Sequence, residues 1–375
     1  MIKVLSYQIL LVVLVIATRS AFGNNVKVIT ADTLAVTQGF KEEFKASGKV
    51  STQLFLGYRY TSPSGGSASN EFVVNRGYIN FTGNVTPYVS GRITPDIIRD
   101  EEGDIEMRLK YCFAQYKNID MQGFIAEPSV LIGQVYTPFI EFESKVNRYR
   151  VVESHFLDRV KQLSSADFGV TFTALLGGKI DAEYQQKVNS SYAGRYGSVA
   201  FGLYNGGGYH AQEKNANKTF QWRVSVRPLP IVLPGLQASF TGSLGKGNLP
   251  ESPDWNLFGG LLSYEHQRFV ITGQYYQALG NYSGTMTDDF GDELASQGYS
   301  LFSEVKLFRQ KSSIFARWDC SIINKNNPTY ASMFIVGLAY HIQPKTKIVV
   351  DYNFVDNSDV VNKTGVFEVM FELAF

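Results

Sequence analysis

The chain has 375 residues, 44% of them hydrophobic and 14% aromatic, with 34 glycines and a mean hydropathy of −0.10. Its 35 lysines and arginines balance 34 aspartates and glutamates, which excludes a nucleic-acid partner of the kind that needs a strongly basic face. Past the first two dozen residues nothing matches the roughly 20 consecutive apolar residues of a membrane helix, and the length exceeds what one β-sandwich uses.

Lys3 precedes the apolar run at 9–17, and Ala21-Phe22-Gly23 follows it with small-x-small spacing before Asn24. That pattern predicts an export signal over residues 1–23. The residue directly after the cut is Asn24 rather than cysteine, which argues against a lipid anchor. Residues 24–48, weakly periodic and carrying Lys41-Glu42-Glu43, read as an N-terminal leader in the periplasm, with a β-barrel domain expected over 49–375.

The first strand is predicted at 49–60, where Val50, Thr52, Leu54, Leu56, Tyr58 and Tyr60 alternate with Ser51, Gln53 and Arg59. A strand sends successive side chains to opposite faces, so this period of two separates a greasy face from a polar one. Further strands follow at 72–81, 85–95, 106–117, 129–138, 166–177, 196–205, 220–228, 236–245 and 255–265. The last six are at 269–279, 299–308, 312–322, 331–342, 346–355 and 364–375. Tight connections alternate with longer polar ones, the rhythm of an up-and-down antiparallel transmembrane barrel of about sixteen strands with both ends inside. Residues 179–187 are also strand-like, but a strand there would make the number odd and invert every later loop; they read as an excursion on the inner side.

The terminal strand carries the apolar column Phe367, Val369, Phe371, Leu373 and Phe375 opposite Glu368, Met370, Glu372 and Ala374. In a soluble sandwich such a column would be core. An aromatic final residue instead suits a strand that closes an outer-membrane barrel against its first strand and leaves no open edge in lipid. Both cysteines fall in strands. Cys112 lies opposite the column Met107, Leu109, Tyr111 and Phe113, whereas Cys320 belongs to the column Ile314, Ala316 and Trp318; that placement on distant strands argues against a disulfide.

The four histidines are scattered, with no partner at a catalytic spacing, and the chain carries no phosphate loop, HExxH or Cys/His cluster. No catalytic residue, cofactor or metal site is expected. The informative stretch is the connection 137–164, longer than the about 12–15 residues beyond which a loop is usually functional or disordered, and too apolar for disorder. Folded into so wide a barrel it would narrow the channel. Lys145, Arg148, Arg150, Arg159 and Lys161, with Glu153 and Asp158, would then act as a filter at the constriction. The competing reading lays the loop over the mouth with its charges in bulk water.

The runs FVVNRGYINF at 72–81, RITPD at 92–96, LIGQVYTPF at 131–139, DFGV at 167–170 and LYNG at 203–206 are, in this order and with the terminal phenylalanine, similar to the phosphate-selective porin O and P family. The resemblance covers most of the chain after the export signal. It implies a sixteen-stranded barrel in the bacterial outer membrane, a homotrimer, a third outer loop folded inward, and an anion path lined by arginine and lysine. It also implies that Phe375 is an assembly signal engaged by the barrel-assembly machinery.

With the apolar columns in outer-membrane lipid, Arg59, Arg76, Arg92, Arg108, Lys110, Arg223, Arg227, Arg317 and Lys347 are expected to face the lumen. So are Asp96, Asp167, Glu304, Asp319, Asp351, Glu368 and Glu372. This mixture predicts a general channel for passive diffusion of small hydrophilic solutes, mildly preferring anions, phosphate among them, and no dense lysine cluster marks a dedicated phosphate site. The alternative is a structural or adhesive barrel without an open channel, which would be expected to carry long outer loops.

Overall fold

A computed structural model describes residues 46–100, 103–324, 328–358 and 363–375. The predicted export signal and all but the last three residues of the leader lie outside the described residues. The first eight strands are β1 (Ser47–Pro63), β2 (Ser69–Asn84), β3 (Val89–Arg99), β4 (Ile105–Lys117), β5 (Ile125–Tyr136), β6 (Ala166–Leu176), β7 (Gly197–Tyr204) and β8 (Thr219–Val226). The second eight are β9 (Leu236–Lys246), β10 (Asp254–Glu265), β11 (Phe269–Leu279), β12 (Ala295–Leu307), β13 (Ser312–Asn324), β14 (Thr329–Gln343), β15 (Thr346–Asn357) and β16 (Thr364–Ala374). Helices α1 (Pro138–Val146) and α2 (Phe156–Arg159) lie between β5 and β6, and α3 (Ala182–Lys187) lies between β6 and β7.

Each strand pairs with its sequence neighbours and β16 closes on β1. At that seam Leu54 stands opposite Leu373 and Arg59 opposite Glu368. The ladder continues past the assigned strand: the Thr52 amide donates to the Phe375 carbonyl at 2.7 Å and the Phe375 amide returns to Thr52 at 3.2 Å. Closure leaves no sheet edge, the condition for β structure to sit in lipid. Period two sorts the faces. Phe240, Phe258, Ile271, Leu301 and Leu338 are exposed on the outside, while Ser239, Thr241 and Ser243 are buried on the inside.

All sixteen strands lie where the periodicity puts them, with ends shifted by a few residues. The barrel begins at Ser47, two residues before the expected boundary. β3 starts later and ends later than predicted, because 85–88 form a turn closed by the Val85 amide on the Val89 carbonyl at 2.8 Å. Residues 179–187 are not a strand. Asp181 caps α3 by accepting from the amides of Glu183 and Tyr184 at 2.7 and 3.2 Å, the usual way an aspartate satisfies orphan donors of a helix start.

One predicted column is wrong. Between β3 and β4 the register places Thr94 opposite Tyr111 and Pro95 opposite Leu109, so Lys110 is a bulge residue, and an extra residue reverses the alternation beyond it. Tyr111 is therefore buried inside, Phe113 packs on the inner cluster Leu131, Val135 and Tyr204, and Cys112 is exposed. Cys320 also belongs to an outward column, so the thiols share the outer face, and both are free.

The largest apolar cluster lies within the barrel. Phe139, Phe142, Val151, Phe156 and Leu157 of the β5–β6 connection pack with inward side chains of β10 to β16, among them Trp255, Leu257, Tyr276, Phe302, Phe315 and Met333. Fully burying one such side chain contributes about 1.5–3 kcal/mol, enough in sum to hold a polar-tipped segment against one side of the wall.

Candidate pore site

The β5–β6 connection builds the site. α1 opens with Pro138 after Thr137, a position where proline's missing donor costs nothing. It turns Phe139, Phe142 and Val146 into the apolar cluster and leaves Lys145 and Glu141 paired at 2.7 Å on its other face. Asn147 stops the helix, and its side-chain oxygen accepts from the Tyr149 amide at 3.0 Å. The Tyr149 ring stacks on Phe315 at 4.1 Å, and its hydroxyl donates to Glu304 of β12 at 2.8 Å.

Four cations fasten this connection to the wall. Arg223 donates to the Pro138 carbonyl at 3.2 Å and lies over the rings of Phe142 and Tyr192 at 4.4 and 4.9 Å. Arg317 holds Asp319 and the Ser154 carbonyl, each at 2.7 Å. Arg159 reaches the same Asp319 at 3.0 Å. Lys347 donates to the Arg148 carbonyl at 2.6 Å while pairing with Glu372 at 2.7 Å. Arg223 and Arg317 are buried beneath the connection and border neither of the two cavities on its other flank.

The opposite flank of the connection faces β1 to β4 across open space. A cavity of ≈450 Å³ is bordered there by Tyr78, Arg92, Lys110, Lys145, Arg148 and Arg150 among others. A second one, ≈180 Å³, is bordered by Arg59, Asn75, Arg76, Arg150, Glu153 and Ser154. Arg150 borders both. It is paired with Asp158 at 3.0 Å. Arg76 is paired with Asp96 at 2.6 Å and Arg59 with Glu368 at 2.6 Å.

Three further cations have neutral partners. Arg92 donates to Asn80 at 2.7 Å and Thr94 at 2.9 Å and lies 4.7 Å over the Tyr111 ring. Lys110, only 4% exposed, donates to the Tyr78 hydroxyl at 3.2 Å and stands over the Tyr78 ring. Arg148 touches the carbonyls of Lys145 and Val188, both at 3.4 Å. None of the three joins an ion pair among the described residues. The acidic groups bordering the larger cavity, Glu141 and Glu372, are each committed to a lysine.

Of the residues predicted for a constriction, Lys145, Arg148, Arg150 and Glu153 border the cavities, and Asp158 acts through Arg150. Arg159 does not: Asp319 draws it to the far wall. Lys161 is exposed with a left-handed φ of 57° and borders neither cavity. Arg108 pairs with Glu106 at 2.7 Å and lies 3.4 Å from His210 Nδ1. Two buried groups of the connection went unforeseen. Burial lifts the Glu143 carboxyl to about 8 against the pull of Arg317. Burial, then the field of Arg150 and Arg317, holds His155 well below the ordinary imidazole value. Tyr78, Tyr111 and the stretch 189–191 were also missed; the Gly177-Gly178 break in periodicity is the one sequence signal near the last.

Solved structures superpose on most of the chain. The anion-selective porin from Comamonas acidovorans does so at 10% identity and a TM-score of 0.62, over 88% of this chain and 100% of that one. The outer membrane channel DcaP of Acinetobacter baumannii gives 11% identity and 0.59, over 90% and 99%. The in-vitro folded outer membrane protein OmpT of Vibrio cholerae, in trimer form, gives 10% and 0.57, over 88% and 99%. These likenesses show that the chain has the porin fold. No family model and no curated protein sequence matches it.

Proposed function

We propose that the protein is an outer-membrane channel for passive diffusion of small hydrophilic solutes with a preference for anions. The observation that carries this reading is the convergence of Arg92, Lys110, Arg148 and Arg150 on one cavity whose carboxylates are already paired. Low-dielectric walls focus such a field and raise the local anion concentration. Residues 137–165 serve as the inward-folded third outer loop, with Arg150 between the two cavities, Lys110, Lys145 and Arg148 on the larger and Glu153 on the smaller. The apolar outer face supports residence in the bacterial outer membrane, reached after export under the signal at 1–23. Outer-membrane lipid, a homotrimer and the barrel-assembly machinery, acting on Phe375, complete the setting.

One observation favours a barrel without an open channel: apolar packing fills its β10–β16 side. Detergent-purified protein in a planar bilayer separates the two readings. Discrete conductance steps are expected of the channel, and a bilayer that stays silent at high protein concentration would favour the structural role.

A further inference from the structure

Antiparallel pairing sends successive connections to opposite rims, so 137–165 and the β6–β7 connection, 177–196, leave the barrel at opposite ends. On the latter rim the β10–β11 and β14–β15 connections occupy only 266–268 and 344–345. Within 177–196 an antiparallel bridge already joins Lys179 to Gly194, and a two-residue turn would close that hairpin. The residues between therefore exceed what the connection needs. They have their own small core of Ile180, Tyr184 and Ala193, and they turn into the barrel. Arg227 of the β8–β9 connection lies 5.0 Å over Tyr184, and the Asn189 amide donates to Glu265 of β10 at 2.8 Å.

There the segment meets α1. Asn189 also donates to the Lys145 carbonyl at 3.0 Å, and the rings of Tyr192 and Phe142 stand 5.5 Å apart. Arg148 is held between the two insertions, with its guanidinium on one carbonyl from each, Lys145 and Val188. Asn189, Ser190 and Ser191 border the larger cavity, as do Lys345, Lys347 and Glu372 from the same rim.

Resting on the channel reading above, we propose that 188–192 form a second constriction, in series with the one at Arg150, through which small inorganic anions and carboxylates leave the pore. An anion that passes Arg150 reaches Arg148 and the hydroxyls of Ser190 and Ser191, which replace part of its hydration shell as filter ligands do. The segment is also the positioning element for Arg148, since it supplies half of that side chain's carbonyl support.

Two variants test this in planar bilayers with potassium chloride. In the first, 180–193 are replaced by Asn-Gly so that Lys179 and Gly194 close directly. Removing one of two comparable resistances in series should raise single-channel conductance roughly twofold. The second is Ser191→Cys in the full chain, treated with a sulfonate-bearing thiosulfonate reagent. Its conductance should fall stepwise, whereas the unaltered chain, whose Cys112 and Cys320 face outward, should not respond. Should the shortened chain fail to assemble, the cysteine variant decides alone. An unresponsive Ser191→Cys channel, or a shortened chain with unaltered conductance, would overturn the second constriction and leave the channel standing. Absence of any conductance in the unaltered protein would instead overturn the channel reading itself.

Discussion

Arg159 and Asp319, 160 residues apart in sequence, form an ion pair at 3.0 Å in which the carboxylate is wholly buried. Arg317 approaches the same carboxylate at 2.7 Å, so one acid neutralises a cation of the wall and a cation of the inserted connection. The pair fastens the connection to the wall and sets Arg159 apart from the cations that border the two cavities.

Replacing Asp319 by alanine leaves the buried Arg317 and the partly buried Arg159 without their shared carboxylate. Breaking a buried pair in this way costs about 3–5 kcal/mol, and here the loss falls on docking of the connection. The Asp319→Ala channel should show added current noise and faster proteolysis within 137–165 while keeping its anion preference. A clean loss of preference with quiet currents would show that Arg159 works as a filter residue after all.

Lys110 predicts the opposite split. It is a buried cation whose bonded partner is the neutral Tyr78 hydroxyl, and Lys110→Met keeps much of its length between the Tyr78 and Tyr111 rings. The barrel should fold normally and stay quiet, and its anion preference should weaken. Thermal unfolding and reversal potential, measured on the same preparation, check the two halves together.

The connection should also respond to pH. Undocked, Glu143 ionises near its ordinary value of 4.5; docked among Arg317, Asp319, Asp158 and Arg150 it keeps its proton to about 8. Docking therefore takes up a proton, and its contribution is complete below the lower value and lost as pH rises to the upper one. His155, facing Arg150, Arg317, Lys110 and Lys145, has a docked value well below 6.5. Its contribution is fully present above 6.5 and is lost as pH falls from there toward the docked value. Protease cleavage within 137–165 should accordingly increase from pH 6.5 to about 8 in the unaltered protein, and Glu143→Gln should flatten that rise. A steep rise retained in the glutamine variant would assign the effect to another group.

Phe375 exchanges two backbone hydrogen bonds with Thr52 and leaves its ring exposed on the outer face. Its deletion removes the last rung of the closing seam as well as the side chain proposed above to engage the assembly machinery. The folded amount in cells should fall, while channels that do assemble should conduct as before. Normal yield of heat-modifiable barrel would contradict this.

Strand number, order and facing were legible because a period of two is local, and a residue's neighbours at i±2 declare its side. Arg59, Arg76, Arg92 and Lys110 were assigned inward on that basis. The reversal at Lys110 was not legible: a bulge is a property of the pair β3–β4, set by which residue opposes Pro95. Nor does facing say what covers a face. Arg223 and Arg317 lie under this connection because the inner faces of β10 to β15 include apolar side chains, Trp255, Leu257, Tyr276, Phe302, Phe315 and Met333 among them, that need a partner. That was written in runs such as WNLFGGLLSY at 255–264, where both columns are greasy, the pattern of a strand covered on two sides. The role of 189–191 is invisible in sequence, since Asn189 gains meaning only from the Lys145 carbonyl and Glu265 beside it.

The reversal potential of a single channel under a tenfold potassium chloride gradient tests the central claim most directly. The cations of the larger cavity predict a potential on the chloride side of zero in the unaltered protein, shrinking as total salt rises and screening shortens the reach of the field. In Lys110→Glu combined with Arg150→Glu it should cross to the potassium side. A potential on the potassium side in the unaltered channel, or the same value in both proteins, would contradict the account.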